Sequence, residues 1–137
     1  MKKTPLVSLV CIVFLGAFGA ARLQADNATI SMSGPTTFKQ RDGSALFQAI
    51  CQGCHMSNAQ GAVGAGSYPA LAHNARLASS SYPVITVLKG RKAMPPFADY
   101  LSDAQVAAVV NYVRTHFDNA YLDVVSQEMV ANARRSR

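Results

Sequence analysis

The chain has 137 residues, 50% of them hydrophobic and 15% charged, which suits one domain and is too apolar for a disordered chain. No internal repeat marks a solenoid, and three cysteines are too few for a disulfide-built scaffold. The formal charge of +6 sits at the ends: Lys2, Lys3 and Arg22 lie in the first 25 residues and Arg134, Arg135 and Arg137 in the last four, so residues 26–133 are formally neutral and give no argument for nucleic-acid binding.

The first 25 residues read as an address. Lys2 and Lys3 precede an uncharged run over 4–21, followed by Arg22 and Leu23-Gln24-Ala25. A charged start, an apolar stretch and a small residue at a cut after Ala25 predict a signal peptide over 1–25 and export to the periplasm. The apolar run of about 18 residues is also near the lower limit of a membrane span, so a retained N-terminal anchor is the other reading. Cys11 lies inside the run as an apolar filler. Residues 26–41, with Gly34-Pro35 and Ser/Thr punctuation, read as an extended N-terminal arm.

Asp42 offers an N-cap, and Ala45, Leu46, Ala49 and Ile50 recur at helical spacing over 43–50. Residues 56–74 hold Gly61, Gly64, Gly66 and Pro69 with no helical period, a long loop that needs something to wrap around. A second helix is predicted over 82–89, starting at Ser81, with Pro83 in its first turn and Gly90 as its stop. Residues 91–101 are loop again, broken by Pro95-Pro96. Ser102-Asp103-Ala104-Gln105 is a capping box, and Val106, Val109, Val110, Val113 and Phe117 form one apolar stripe behind it. The tail over 119–137 either extends that helix or is loose, and its arginines read as a solvated end. No run alternates as a strand does. The class is all-α, with three to four short helices and too little regular structure to bury a core of its own.

The chemistry lies in Cys51-Gln52-Gly53-Cys54-His55. Two thiols three apart at a helix end lie on one side of the chain, with an imidazole beside them. C-x-x-C-H is the covalent attachment signature of c-type haem: each thiol adds to a vinyl group as a thioether, and His55 binds the iron. A thioredoxin-like dithiol would need a βαβ setting, which the sequence lacks. A zinc site would need Cys51, Cys54 and two of His55, His73 and His116, whose spacing fits no usual zinc pattern.

A second axial ligand must come from a segment that folds over the opposite face of the ring. Met56 is adjacent to His55, Met32 lies in the arm and Met129 in the tail. His116 reads as a partly exposed residue of the last helix, and His73 as a loop surface residue. Met94, in Ala93-Met94-Pro95-Pro96-Phe97, lies between two helices, and its prolines stiffen the backbone behind it. A Met/His pair raises the potential and marks electron transfer.

On these motifs the sequence resembles the class I cytochrome c family, small bacterial periplasmic type, from about residue 42 to 117. Gly43-x-x-x-Phe47 is similar to the family's N-terminal helix signature, and Val109 and Tyr112 to its C-terminal helix partners. The resemblance implies that these four residues meet where the helices cross, and that short helices wrap around one covalently bound haem. It implies that the Pro69 carbonyl accepts the N–H of His55 and that Met94 is the distal ligand. Arg91 is the best candidate for a propionate contact, ahead of Tyr68, Lys89, Lys92 and Tyr100. On this reading the domain covers 42–118.

The implied function is periplasmic electron transfer by a single haem c with His55 and Met94 as iron ligands. Electrons come from a periplasmic or membrane-bound dehydrogenase and go to an oxidase or another cytochrome. The chain itself transforms no substrate. The resemblance extends to cytochrome c subunits that serve dehydrogenases, so a subunit fixed in such a complex is the alternative. A haem sensor or peroxidase with an open iron is a third reading, and it requires Met94 to be off the iron.

Overall fold

The computed structural model describes residues 38–64 and 66–136. The predicted signal peptide over 1–25, Cys11, Met32 and most of the predicted arm over 26–41 lie outside these residues. The regular elements of the described chain are helical, apart from two strands of two residues each.

Helix α1 (Gly43–Leu46) starts as expected, with the Asp42 carboxylate accepting the Ser44 and Ala45 amides at 2.9 and 3.0 Å. It does not stop near Ile50. It widens into a π-helical turn, Phe47–Cys51, where the Gln52 N–H reaches back to the Phe47 carbonyl, and it continues as α2 (Gln52–His55). The extra residue in such a turn rotates the rest of the helix, and π turns of this kind concentrate at functional sites. Here it sets the direction in which the cysteines and His55 leave the helix. Met56 ends α2 in the left-handed region, at φ 66°.

Residues 56–74 are the long loop that the glycines imply. Within it, β1 (Ala62–Val63) pairs antiparallel with β2 (Ser67–Tyr68), in the register Ala62 to Tyr68 and Val63 to Ser67. Strands of two residues are too short to show alternation in a sequence. A 3-10 turn, Ala75–Ala78, leads into α3 (Ser81–Lys89). Gly90 closes α3 at φ 68°, its N–H on the Thr86 carbonyl at 2.9 Å. A Cβ there would stand 2.5 Å from the Met94 carbonyl oxygen, so only glycine lets the next turn fold back so closely.

Helix α4 (Asp103–Thr115) is the longest of the helices described, and its capping box is complete. The Ser102 hydroxyl accepts the Gln105 amide at 3.3 Å, and the Gln105 side-chain carbonyl accepts the Ser102 amide at 2.9 Å. Gln105 does more than cap. Its side-chain N–H groups donate to the Phe38 and Gln40 carbonyls at 2.6 and 2.7 Å, tying down the chain that enters α1.

The crossing of α1 and α4 is where the sequence motif places it. A Cβ on buried Gly43 would stand 2.4 Å from the Ala108 carbonyl oxygen and 2.7 Å from Tyr112 Cβ. The Phe47 ring lies 5.9 Å from that of Tyr112 and 4.8 Å from that of Phe117, and Val109 is buried in the same cluster. Phe117 is thus a further member of the contact.

Two expectations fail. The chain does bury a core of its own, with Leu46, Phe47, Leu88, Val106, Val110, Val125 and Val130 at its centre. The tail adds Val125 and Val130 to it and neither extends α4 nor hangs loose. After Asn119 an extended strap runs back and ends in α5 (Gln127–Arg135), which is capped by Ser126 and buries Val130. Asn111 brackets Val125, donating to its carbonyl at 2.9 Å and accepting its amide at 2.8 Å. Arg114, wholly buried, donates to the Leu77 and Ala78 carbonyls at 2.9 and 3.3 Å, to the Asp123 carbonyl, and to the Asp123 carboxylate. Arg134 is no solvated end: it pairs with Asp103 at 2.7 Å and donates to the Leu101 carbonyl at 2.9 Å and to that of Ala98. Among the described residues no helix is long and apolar enough to cross a membrane.

Candidate functional site

Cys51 and Cys54 are both free thiols, the first half-buried and the second exposed. Burial, with the neighbouring Cys54 adding to it, pushes the Cys51 thiol up to about 12. A thiol that stays protonated at neutral pH is the opposite of what dithiol exchange requires. No group of three or more His, Cys, Asp or Glu among the described residues is placed to hold a bare metal ion. His73 instead pairs with Asp118 at 3.2 Å on the surface. His116 caps its own helix, its ring 4.1 Å from that of Tyr112 and its Nδ1 2.9 Å from the Tyr112 carbonyl oxygen.

His55 is buried, 8% exposed, and its Nδ1 lies 2.9 Å from the Pro69 carbonyl oxygen. A carbonyl only accepts, so Nδ1 carries a proton, and in the neutral ring the lone pair is on Nε2. That is the tautomer an iron ligand needs, and the hydrogen bond makes the ring a better donor. The loop that supplies Pro69 is attached close behind His55: the Ala59 carbonyl accepts both the Leu71 and Ala72 amides, at 2.8 and 3.0 Å.

Met94 is half-buried in a tight turn. Its N–H donates to the Arg91 carbonyl and the Arg91 N–H donates to its own, each at 3.0 Å, with Lys92 left-handed at φ 54°. Beyond the two prolines the Phe97 amide bonds the Val87 carbonyl at 2.9 Å, so both ends of the turn are fixed to α3. Arg91 is exposed, its guanidinium 5.9 Å from the centre of the Tyr82 ring. Met129 lies on α5, in the tail.

The donor set fits a covalently attached haem. Two thiols suited to thioether formation adjoin a buried imidazole whose Nδ1 is committed to a carbonyl, and a thioether is held by backbone bonds on a separate turn. Sequence reasoning missed the groups that hold the Pro69 loop. Asn74 donates to the Ala70 carbonyl at 2.7 Å, and buried Asn119 donates to that of Leu71 at 2.9 Å. Asn at a loop boundary is an ordinary residue, and nothing in its local context signals a partner far along the chain.

Comparison with known proteins agrees with this chemistry. Residues 38–113 match the family described as cytochrome c oxidase, cbb3-type, subunit III. The fructose dehydrogenase cytochrome subunit of Gluconobacter japonicus is 32% identical over an alignment of 113 residues, and the match covers 72% of this chain and 23% of that relative. The chain therefore spans less than a quarter of the length of the curated relative it matches. A match over more than half the chain, which includes the C-x-x-C-H motif, settles the family: the chain belongs to the cbb3-type subunit III family of c-type cytochromes, and it is an electron-transfer protein carrying covalent haem c.

Proposed function

We propose that Cys51 and Cys54 hold one haem as thioethers, that His55 Nε2 and Met94 Sδ are its axial ligands, and that the chain takes single electrons from a dehydrogenase and passes them to an oxidase or another cytochrome. The observation that carries this reading is the 2.9 Å bond from His55 Nδ1 to the Pro69 carbonyl, which leaves Nε2 as the donor beside the two cysteines. When bound, the haem supplies a one-electron iron couple.

The protein's part is to fix the ligands and keep water from them. His55 is buried and cannot change tautomer without breaking its bond to Pro69. Met94 is presented by a turn with two backbone bonds and two following prolines, so little conformational entropy opposes ligation. Arg91, bonded to Met94 through the backbone, is the cation we assign to a haem propionate. The leader over 1–25 supports export to the periplasm. Residence as a fixed subunit is favoured over a free carrier by one observation: the matched relative is named as the cytochrome subunit of a dehydrogenase. Co-purification with a large dehydrogenase subunit from the host supports the fixed subunit, and isolation alone supports the carrier.

Substitution Met94→Ala in the haem-loaded protein tests the ligation. Its removal should abolish the weak sulfur-to-iron band of the ferric spectrum and lower the potential, within a range of about 0.8 V that axial ligation spans across haem proteins. An unchanged spectrum and potential would sink the assignment. A wild-type protein that already lacks the band would favour the open-iron sensor or peroxidase.

A further inference from the structure

We propose that Asn119 is a positioning residue for the axial histidine: through residues 70–74 it sets the Pro69 carbonyl that holds His55 Nδ1. This rests on the reading of His55 as an iron ligand. Residues 69–74 lie between β2 and the 3-10 turn and belong to no helix or strand, so no regular ladder fixes them. They are held from two sides. Near the haem motif, the Ala59 carbonyl accepts the Leu71 and Ala72 amides. From the far side comes Asn119, buried at 6% exposure.

The Asn119 side chain uses three of its bonding positions on backbone. Oδ1 accepts the Asn74 amide at 3.0 Å, and Nδ2 donates to the Leu71 carbonyl and to the Val113 carbonyl, each at 2.9 Å. One amide group thus joins the loop to the final turn of α4. Asn74, positioned in this way, donates to the Ala70 carbonyl at 2.7 Å, the peptide directly after Pro69. The line of contact runs from Asn119 through Asn74 and Ala70 to Pro69 and His55. The remaining ties are lesser ones: the His73 amide on the Phe117 carbonyl at 3.1 Å, Tyr121 Oη on the Asn74 carbonyl at 3.4 Å, and the exposed pair His73–Asp118, which solvent screens.

The backbone is bent to put Asn119 there. Phe117 and Asp118 are consecutive left-handed residues, at φ 59° and 61°. L residues disfavour that region, so two in succession mark a turn that its surroundings enforce. The turn brings Asn119 back under the loop. A firm hydrogen bond to Nδ1 makes the imidazole a stronger donor and favours ferric iron, so a looser loop raises the potential.

Asn111 is the internal control. It also clamps backbone by two bonds, to Val125 at 2.9 and 2.8 Å, but on the tail rather than the Pro69 loop. The experiment compares Asn119→Ala with Asn111→Ala in the haem-loaded protein, by potentiometric titration and by the solvent-exchange rate of the His55 Nδ1 proton in NMR. Asn119→Ala should raise the potential and speed that exchange by about tenfold, the equilibrium equivalent of one hydrogen bond. Asn111→Ala should lower the melting temperature and move neither readout. Should Asn119→Ala give no folded protein, Asn119→Asp keeps the acceptor for Asn74, loses both donors and is read in the same way. Wild-type potential and exchange in the folded Asn119 variant would overturn the proposal, as would equal shifts in both asparagine variants. Failure of the ligand reading looks different: His55→Ala would then keep the wild-type optical spectrum.

Discussion

The loop over 56–74 and the tail over 117–136 are both stretches with little regular structure, yet they are ordered by opposite means. The loop is tied back mainly by backbone bonds: the Ala59 carbonyl takes two amides, the Gly61 amide bonds the His55 carbonyl at 3.0 Å, and β1 pairs with β2, with Asn74 and Asn119 adding side-chain bonds over 70–74. The tail is held mainly by side chains: Asn111 and Arg114 of α4 reach its backbone, and its own Arg134 reaches Asp103. Backbone order is local and survives most side-chain changes. Side-chain order depends on single residues, so the tail, more than the loop before residue 70, is the region that point substitution can release.

The sharpest way to test that difference is Arg114→Met. It removes a buried cation and strands the carbonyls of Leu77, Ala78 and Asp123. Loss of hydrogen bonds from a charged donor costs roughly 1.5–3 kcal/mol or more, to be read by denaturant unfolding of the haem-loaded protein. The optical spectrum should not change, because none of the bonds from Ala59 and Asn119 to the Pro69 loop is made by Arg114. A loss below about 1 kcal/mol, the size of one ordinary hydrogen bond, would mean that the tail is held by its apolar contacts alone.

Gly43→Ala strikes the element both regions share. Its Cβ meets the Ala108 carbonyl oxygen at 2.4 Å, so α1 and α4 must move apart. Overpacking of this kind costs about 1–3 kcal/mol and should lower the melting temperature of tail and loop together. Separate transitions for the two would break the view that one crossing supports both.

Acid should loosen the tail first. The hydrogen bond from Arg114 holds the Asp123 carboxyl below the ordinary aspartate range. A carboxyl lowered on folding stabilises above its unfolded value, about 3.9, and that contribution fades as pH falls through the lowered value. Asp123→Asn should therefore flatten the acid limb of the melting curve below about pH 4. An acid limb identical to wild type would remove Asp123 from the account. This is the smallest effect of the three, since the carboxylate is solvent-exposed.

What the sequence disclosed divides along the same line. Helix α4 was legible because a capping box and an apolar stripe are local signals, and α3 because Pro83 and Gly90 bracket it. The haem motif was legible because it packs its chemistry into one short run of neighbouring residues. The π-helical widening over Phe47–Cys51 was not, since it changes which carbonyl each amide meets without changing the composition. Helix α5 had a signal that the basic tail obscured: Ser126 as cap, Glu128 in the first turn, and Arg134 and Arg135 in the last match the helix dipole. The roles of Arg114, Arg134, Gln105 and Asn119 were hidden for a plainer reason. Each reaches partners far along the chain, and an arginine or asparagine looks the same whether it finds them or water.

The family match ends at Val113, one residue before the guanidinium that anchors the strap. A chain trimmed at that boundary would keep every haem-attaching atom and still lose the lid over its apolar interior, because Val125 and Val130 would go with it. The buried interior therefore reaches beyond the stretch that the family match covers.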